Sequence, residues 1–162
     1  MRECPPSPGV NQTEGMMTQA ILLVDDDEND VLIMTMALKK VGLTCSIRVA
    51  SDGREAQEYL SGTGKFADRS AYPLPYLILM DLKLPRVMGL EVLKWLRKQP
   101  EFDFIIVLVL SSSAMPEDIQ SAYQLRANGY LVKPSGLDKL QVMAQAIRDF
   151  WYIQNQPPLS SA

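Results

Sequence analysis

The sequence predicts an α/β fold with a parallel sheet covered on both faces, and three observations predict it. Five short apolar runs recur along the chain, and longer segments of helical period separate them. The runs are mostly continuous rather than alternating, as expected of strands buried on both sides. Polar and charged residues come directly after several runs, where open parallel sheets collect their ligands.

The runs are Ile21 to Val24, Ser46 to Val49, Tyr76 to Met80, Ile105 to Leu110 and Gly129 to Val132. Between and after them, residues Asn29 to Val41, Asp52 to Leu60, Leu90 to Lys98, Pro116 to Ala127 and Leu137 to Tyr152 carry apolar side chains at three- and four-residue intervals, which predicts five helices. Pro116 suits a first helical turn, and Asp52-Gly53 and Ser135-Gly136 are natural helix starts. The stretch from Ser61 to Pro75 is long for a helix-to-strand connection and reads as a surface loop. Residues 1–18, with Pro5, Pro6, Pro8, Gly9 and Gly15, show no sustained period and read as a disordered leader. A single domain is expected over 19–153, with a disordered tail at 154–162.

Composition narrows the function. The chain has 162 residues, 47% of them hydrophobic, enough for one real core. With Lys+Arg at 16 against Asp+Glu at 19, it lacks the basic excess that gripping nucleic-acid phosphates requires. Cys4 and Cys45 form neither a disulfide framework nor a metal-ligand spacing, which suits a reducing cytoplasm. No apolar run reaches the roughly 18 residues of a membrane span, and no secretory signal is evident. The absence of histidine excludes histidine acid/base catalysis and any role as a phosphohistidine donor. If phosphate moves here, another molecule brings it.

The strand ends carry the chemistry. The first ends in Val24-Asp25-Asp26-Asp27, the third in Met80-Asp81, the fourth in Leu110-Ser111-Ser112-Ser113 and the fifth in Val132-Lys133-Pro134. Asp25, Asp26 and Asp81 crowded at one edge would raise one another's pKa unless a cation neutralised them, and hard oxygen ligands suit Mg²⁺. Magnesium commonly binds through one or two carboxylates plus waters and phosphate oxygens, leaving a carboxylate oxygen free to attack a phosphoryl donor. Asp81 is best placed for that. Lys133 would offset charge on the carboxylates and then on the phosphate, and the Ser111 hydroxyl would donate to a phosphoryl oxygen.

Val-Asp-Asp at 24–26, Leu-Met-Asp-Leu-x-Leu-Pro at 79–85 with Gly89, a serine closing the fourth run and Tyr-Leu-Val-Lys-Pro at 130–134 together resemble the receiver domains of two-component response regulators. The resemblance covers about Ala20 to Tyr152. It implies a flavodoxin-like (βα)5 sheet in the order 2-1-3-4-5 and phosphorelay signalling without a turnover reaction of its own beyond Mg-dependent self-phosphorylation and dephosphorylation. Position by position, it implies Asp81 as phosphoacceptor, with Asp25, Asp26, Asp81 and the Lys83 backbone carbonyl as metal ligands. Ser111, Tyr130 and Lys133 become the switch hydroxyl, switch aromatic and conserved lysine. Met88 departs from the aspartate many receivers carry before the glycine. The long loop before the third strand and the Phe150-Trp151 ending are most similar to single-domain regulators paired with bacterial phytochrome kinases. The implied partners are a sensor histidine kinase, of phytochrome type on this reading, or a histidine phosphotransfer protein. A homodimer through the face made by the fourth helix, fifth strand and fifth helix is also expected.

Taken singly, these residues have plainer readings. Asp27 reads as a helix cap, Asp81 as a turn residue, Ser111 to Ser113 as a helix start and Tyr130 as core. Their joint placement favours the switch. An aspartate-nucleophile phosphatase also places paired aspartates after a first strand, but Asn29 stands where that group needs threonine or valine. A phosphorylation-independent adaptor is a third reading, though every chemical residue is present. Gly62-Thr63-Gly64-Lys65 is not a P-loop, because Tyr59 replaces its first glycine. Asp25-x-Asp27-x-Asn29 is not an EF-hand, because Asp30 and Met36 replace the needed glycine and glutamate.

Overall fold

The computed structural model describes residues 20–155; the expected leader and the tail from residue 156 onward lie outside them. Five strands, β1 (Ala20–Val24), β2 (Ser46–Ala50), β3 (Pro75–Met80), β4 (Ile106–Ser111) and β5 (Gly129–Val132), pair in parallel in the order β2-β1-β3-β4-β5. The three central strands are buried along their whole length, which is why they read as unbroken apolar runs. The helices divide between the two faces. α1 (Glu28–Lys40) and α5 (Leu137–Ile147) cover one face through Met34, Ala37, Leu38, Ala144 and Ile147. α2 (Gly53–Ser61), α3 (Gly89–Leu96) and α4 (Pro116–Gln124) cover the other through Ala56, Tyr59, Val92, Leu93 and Ala122.

The strand order reverses at β1, so the crevice between the ends of β1 and β3 is the topological switch point. Val24 lies in register with Met80, and the Asp81 amide donates to the Val24 carbonyl at 2.9 Å. Asp25 and Asp81, the next residues on each strand, therefore emerge side by side. At the other side of the crevice, the Lys133 amide donates to the Ser111 carbonyl at 2.8 Å and ties the ends of β4 and β5 together.

Local chemistry sets the helix starts. Asp27 caps α1, its Oδ1 accepting from the Asn29 and Asp30 amides at 2.8 and 3.2 Å. Asp52 does the same for α2 through the Glu55 amide, and Pro116 opens α4 as expected. Gly136 starts α5 without a side-chain cap.

Two expectations need correction. The stretch from Ser61 to Pro75 is not merely a surface loop: Phe66, in a short 3-10 turn (Gly64–Phe66), is buried against Tyr59 and Tyr72, with ring centroids 5.1 Å from each. Arg69 fastens this segment by donating to the Tyr59, Leu60 and Tyr72 carbonyls. The fifth helix does not run as one α-helix to Tyr152. After Ile147 it widens into a π-helical turn (Arg148–Gln154), which buries Tyr152 and half-buries Trp151 while leaving Phe150 exposed. Described structure extends to Asn155, whose side-chain amide donates to the Tyr76 hydroxyl. That hydroxyl in turn donates to the Trp151 carbonyl, so the end of the described chain is pinned to β3.

Cys45, just before β2, is a free thiol buried in the α1–α5 core, and burial pushes its pKa up to about 11. It is a packing residue, un-ionised at neutral pH.

Candidate functional site

The site is organised by one ammonium group. Lys133 Nζ donates to Asp25 Oδ2 at 2.6 Å, to Asp81 Oδ2 at 2.7 Å and to Asp30 Oδ2 at 2.8 Å. Its three N–H bonds match three carboxylate acceptors, so the lysine is fully satisfied although largely buried. Burial alone would lower its pKa, but the three carboxylates overcome that and hold it well above the ordinary lysine value. Lys133 is therefore a fixed positive charge.

The carboxylates are held as firmly. Asp25 Oδ1 accepts from the Asp27 amide at 3.0 Å, and Asp81 Oδ1 accepts from the Lys83 amide at 3.0 Å. Burial pushes the Asp25 carboxyl above its ordinary value, against the hydrogen bonds from Lys133 and the Asp27 amide. Asp26, next in the chain, is exposed.

Three carboxylates around one ammonium, with Asp26 adjacent, leave negative charge uncompensated at the mouth of the crevice. Among the described residues no three acidic or thiol side chains are already grouped as a metal cage, and the Lys133 ammonium lies among the Asp25, Asp30 and Asp81 carboxylates. Asp25 and Asp81, with exposed Asp26 beside them in the chain, form an open set at the crevice. All its members are hard oxygen donors, and an open set of one or two carboxylates suits an ion that keeps waters and shares phosphate oxygens. The residues present fit a hard divalent cation.

Ser111 and Tyr130 stand on the far side. Ser111 is fully buried at the end of β4, and its Oγ accepts from the Ser113 amide at 3.2 Å. Tyr130, half-buried on β5, donates its hydroxyl to the Ser113 carbonyl at 3.0 Å, so the aromatic side chain is docked on the loop after β4. Ser113 also donates through Oγ to Asp118 of α4 at 2.5 Å. Neither the Ser111 nor the Tyr130 side chain bonds to the Lys133 ammonium or its carboxylates; they form a second network, joined to the first only through the Lys133 amide on the Ser111 carbonyl.

Asp25, Asp81 and Lys133 come together as the strand ends imply, and Asp27 is indeed the helix cap. Sequence reasoning misses Asp30 as a site residue. A signal exists: Asp30 stands three, four and seven residues before Ile33, Met34 and Ala37, so the inward stripe of α1, extended back one turn, points it at the sheet edge.

The family model described as response regulator receiver domain matches residues 21–145. "Probable methanogenesis regulatory protein FilR2" of Methanothrix harundinacea is 32% identical over 138 residues, 85% of this chain and 86% of that protein. Response regulator Rcp1 of Synechocystis sp. is 35% identical over 133 residues, 82% of this chain and 88% of its own length. The crystal structure of the Mn(2+)-bound form of Rcp1 superposes with a TM-score of 0.78 at 34% identity, covering 86% of this chain and 99% of that one. The phosphorylated cyanobacterial phytochrome response regulator RcpA superposes with a TM-score of 0.80 at 34% identity, covering 86% and 98%.

Proposed function

The chain belongs to the family of response regulator receiver domains, and from that premise we propose that Asp81 is the residue that accepts the phosphoryl group. The chain's function is phosphorelay signalling in a two-component system, and its relative Rcp1 is known in a Mn(2+)-bound form. The observation that carries the assignment to Asp81 is the Lys133 ammonium bonded at once to Asp25 and Asp81 at the switch point of the sheet. A carboxylate at a strand end, with one oxygen fixed by a backbone amide and the other facing a permanent cation, is oriented for attack and electrostatically supported.

In this reading an Asp81 oxygen attacks the phosphorus of a phosphohistidine. The new O–P bond forms as the P–N bond breaks, and the imidazole nitrogen leaves with the electron pair. Lys133 carries the charge of the phosphoryl oxygens, the Ser111 hydroxyl turns from the Ser113 amide to donate to one of them, and Tyr130 moves with the loop. Asp25, Asp26, Asp81 and the Lys83 carbonyl would hold Mg²⁺, which when bound supplies neutralising charge for the phosphoryl oxygens. The receiver groups catalyse this self-modification and its hydrolysis.

Likeness to the cyanobacterial phytochrome response regulator RcpA supports a phytochrome-type sensor histidine kinase as donor, with a histidine phosphotransfer protein as the other source of the same group. A cytoplasmic setting suits such a donor; no helix among the described residues is long and apolar enough to cross a membrane. Output passes through protein contact at α4, β5 and α5, where Val132 and Val142 are exposed, with exposed Phe150 in the π-helical turn that follows α5, and a homodimer through this face is part of the proposal. Light scattering that gives a monomer with and without a phosphoryl mimic would remove the dimer.

The deciding experiment is intact-mass analysis after incubation with acetyl phosphate and Mg²⁺. A gain of one phosphoryl group, absent in Asp81→Asn and in EDTA, is expected. An unmodified wild type, also unmodified by a histidine-kinase donor, would overturn the assignment.

A further inference from the structure

Lys133 has three N–H bonds and all three are occupied, so it cannot engage a phosphoryl oxygen without releasing a carboxylate. The three partners differ in what release would cost. The Asp25 side chain is 4% exposed and, once freed, would be left a charge shut off from water, whereas Asp81, 10% exposed, becomes the carrier of the phosphoryl group and stays beside the ammonium. Asp30 is 45% exposed, on the first turn of α1, and it borders a cleft between α1 and α5 lined also by Lys133 and Leu137. Water reaches it.

Resting on the assignment of Asp81 above, we infer that Asp30 is the exchangeable ligand of Lys133, a placeholder that occupies the position of the ammonium's third bond until a phosphoryl oxygen takes it. Asp30 is then a positioning residue for phosphoryl acceptance. It keeps Lys133 extended toward the crevice in the unmodified protein and yields to water when the phosphoryl group arrives. The bond exists in the unmodified state and not in the modified one, so it favours the unmodified state. Removing it makes phosphoryl-like ligands bind more tightly, whereas an Asp30 that served only to anchor the lysine would weaken their binding when removed.

The test is titration of the full chain with beryllium trifluoride, a mimic of a carboxyl-bound phosphoryl group, in excess Mg²⁺, with bound mimic read by fluorine NMR. Asp30→Asn keeps shape and leaves the α1 cap at Asp27 intact. Its Kd is expected to fall about two- to fivefold, the scale of a partly exposed ion pair. Asp30→Glu is expected to restore the wild-type Kd, a rescue that a change in packing would not give. An unchanged or weaker Kd in Asp30→Asn overturns the inference while leaving the Asp81 assignment standing. A wild type that does not bind the mimic overturns both.

Discussion

Replacing Lys133 with methionine is expected to cost about 3–5 kcal/mol of folding stability, the scale measured when one partner of a buried ion pair is removed. Methionine fills much of the same volume, so the loss is electrostatic rather than a cavity. Asp25 and Asp81 would be left buried beside each other with their Oδ2 atoms unpaired, while Asp30 turns to solvent. Urea unfolding in EDTA at neutral pH measures the deficit. Its pH dependence identifies the cause. Asp25 already sits above its ordinary pKa because burial outweighs the bonds from Lys133 and the Asp27 amide, and the variant removes the first of those. A carboxyl whose folded pKa exceeds its unfolded value costs stability above that folded pKa, and the cost is relieved as pH falls through it. The gap between variant and wild type should therefore narrow from pH 7 toward pH 4. A gap that is constant with pH would mean that packing, not charge, holds this end of the sheet. Excess Mg²⁺ at pH 7 should recover part of the loss, because a cation then faces the carboxylates that the lysine no longer pairs.

Whether a site residue is legible in the sequence depends on where its information lies. Val24, Met80 and Leu110 end runs that are apolar because the central strands are buried on both faces, so Asp25, Asp81 and Ser111 stand out as the first polar residues beyond them. Parallel order then places them together. Asp30 carries no such mark, since its partner lies 103 residues away and only the phase of α1 aims it there. Phe66 and Tyr72 sit in a segment with neither period 2 nor period 3.6, so nothing local announces that Tyr59 will gather them into the core. The widening of the helix after Ile147 is a tertiary effect too: Tyr152 bonds to Thr44 and the Trp151 carbonyl accepts from Tyr76, contacts invisible in a stripe of apolar residues.

Gly89→Ala is expected to be the most damaging single-methyl change for phosphoryl acceptance. Gly89 is the first residue of α3, and its amide donates to the Leu82 carbonyl at 3.0 Å, folding the loop after β3 tightly back on itself. A Cβ there would lie 2.1 Å from the Asp81 carbonyl oxygen and 2.8 Å from Leu82 Cα. Both are backbone atoms that cannot rotate away, so either α3 or the end of β3 must shift. Overpacking of this kind costs about 1–3 kcal/mol, and contact at this range with main chain belongs at the upper end. The functional effect is larger. The shift falls on the residue proposed to attack, and a displacement of about 1 Å at a reacting group can cost on the order of 100-fold in rate. Phosphorylation by acetyl phosphate, read by intact mass at a temperature where circular dichroism shows the variant folded, separates the two consequences. A folded Gly89→Ala protein modified at the wild-type rate would show that α3 gives way and that Asp81 is insulated from the loop behind it.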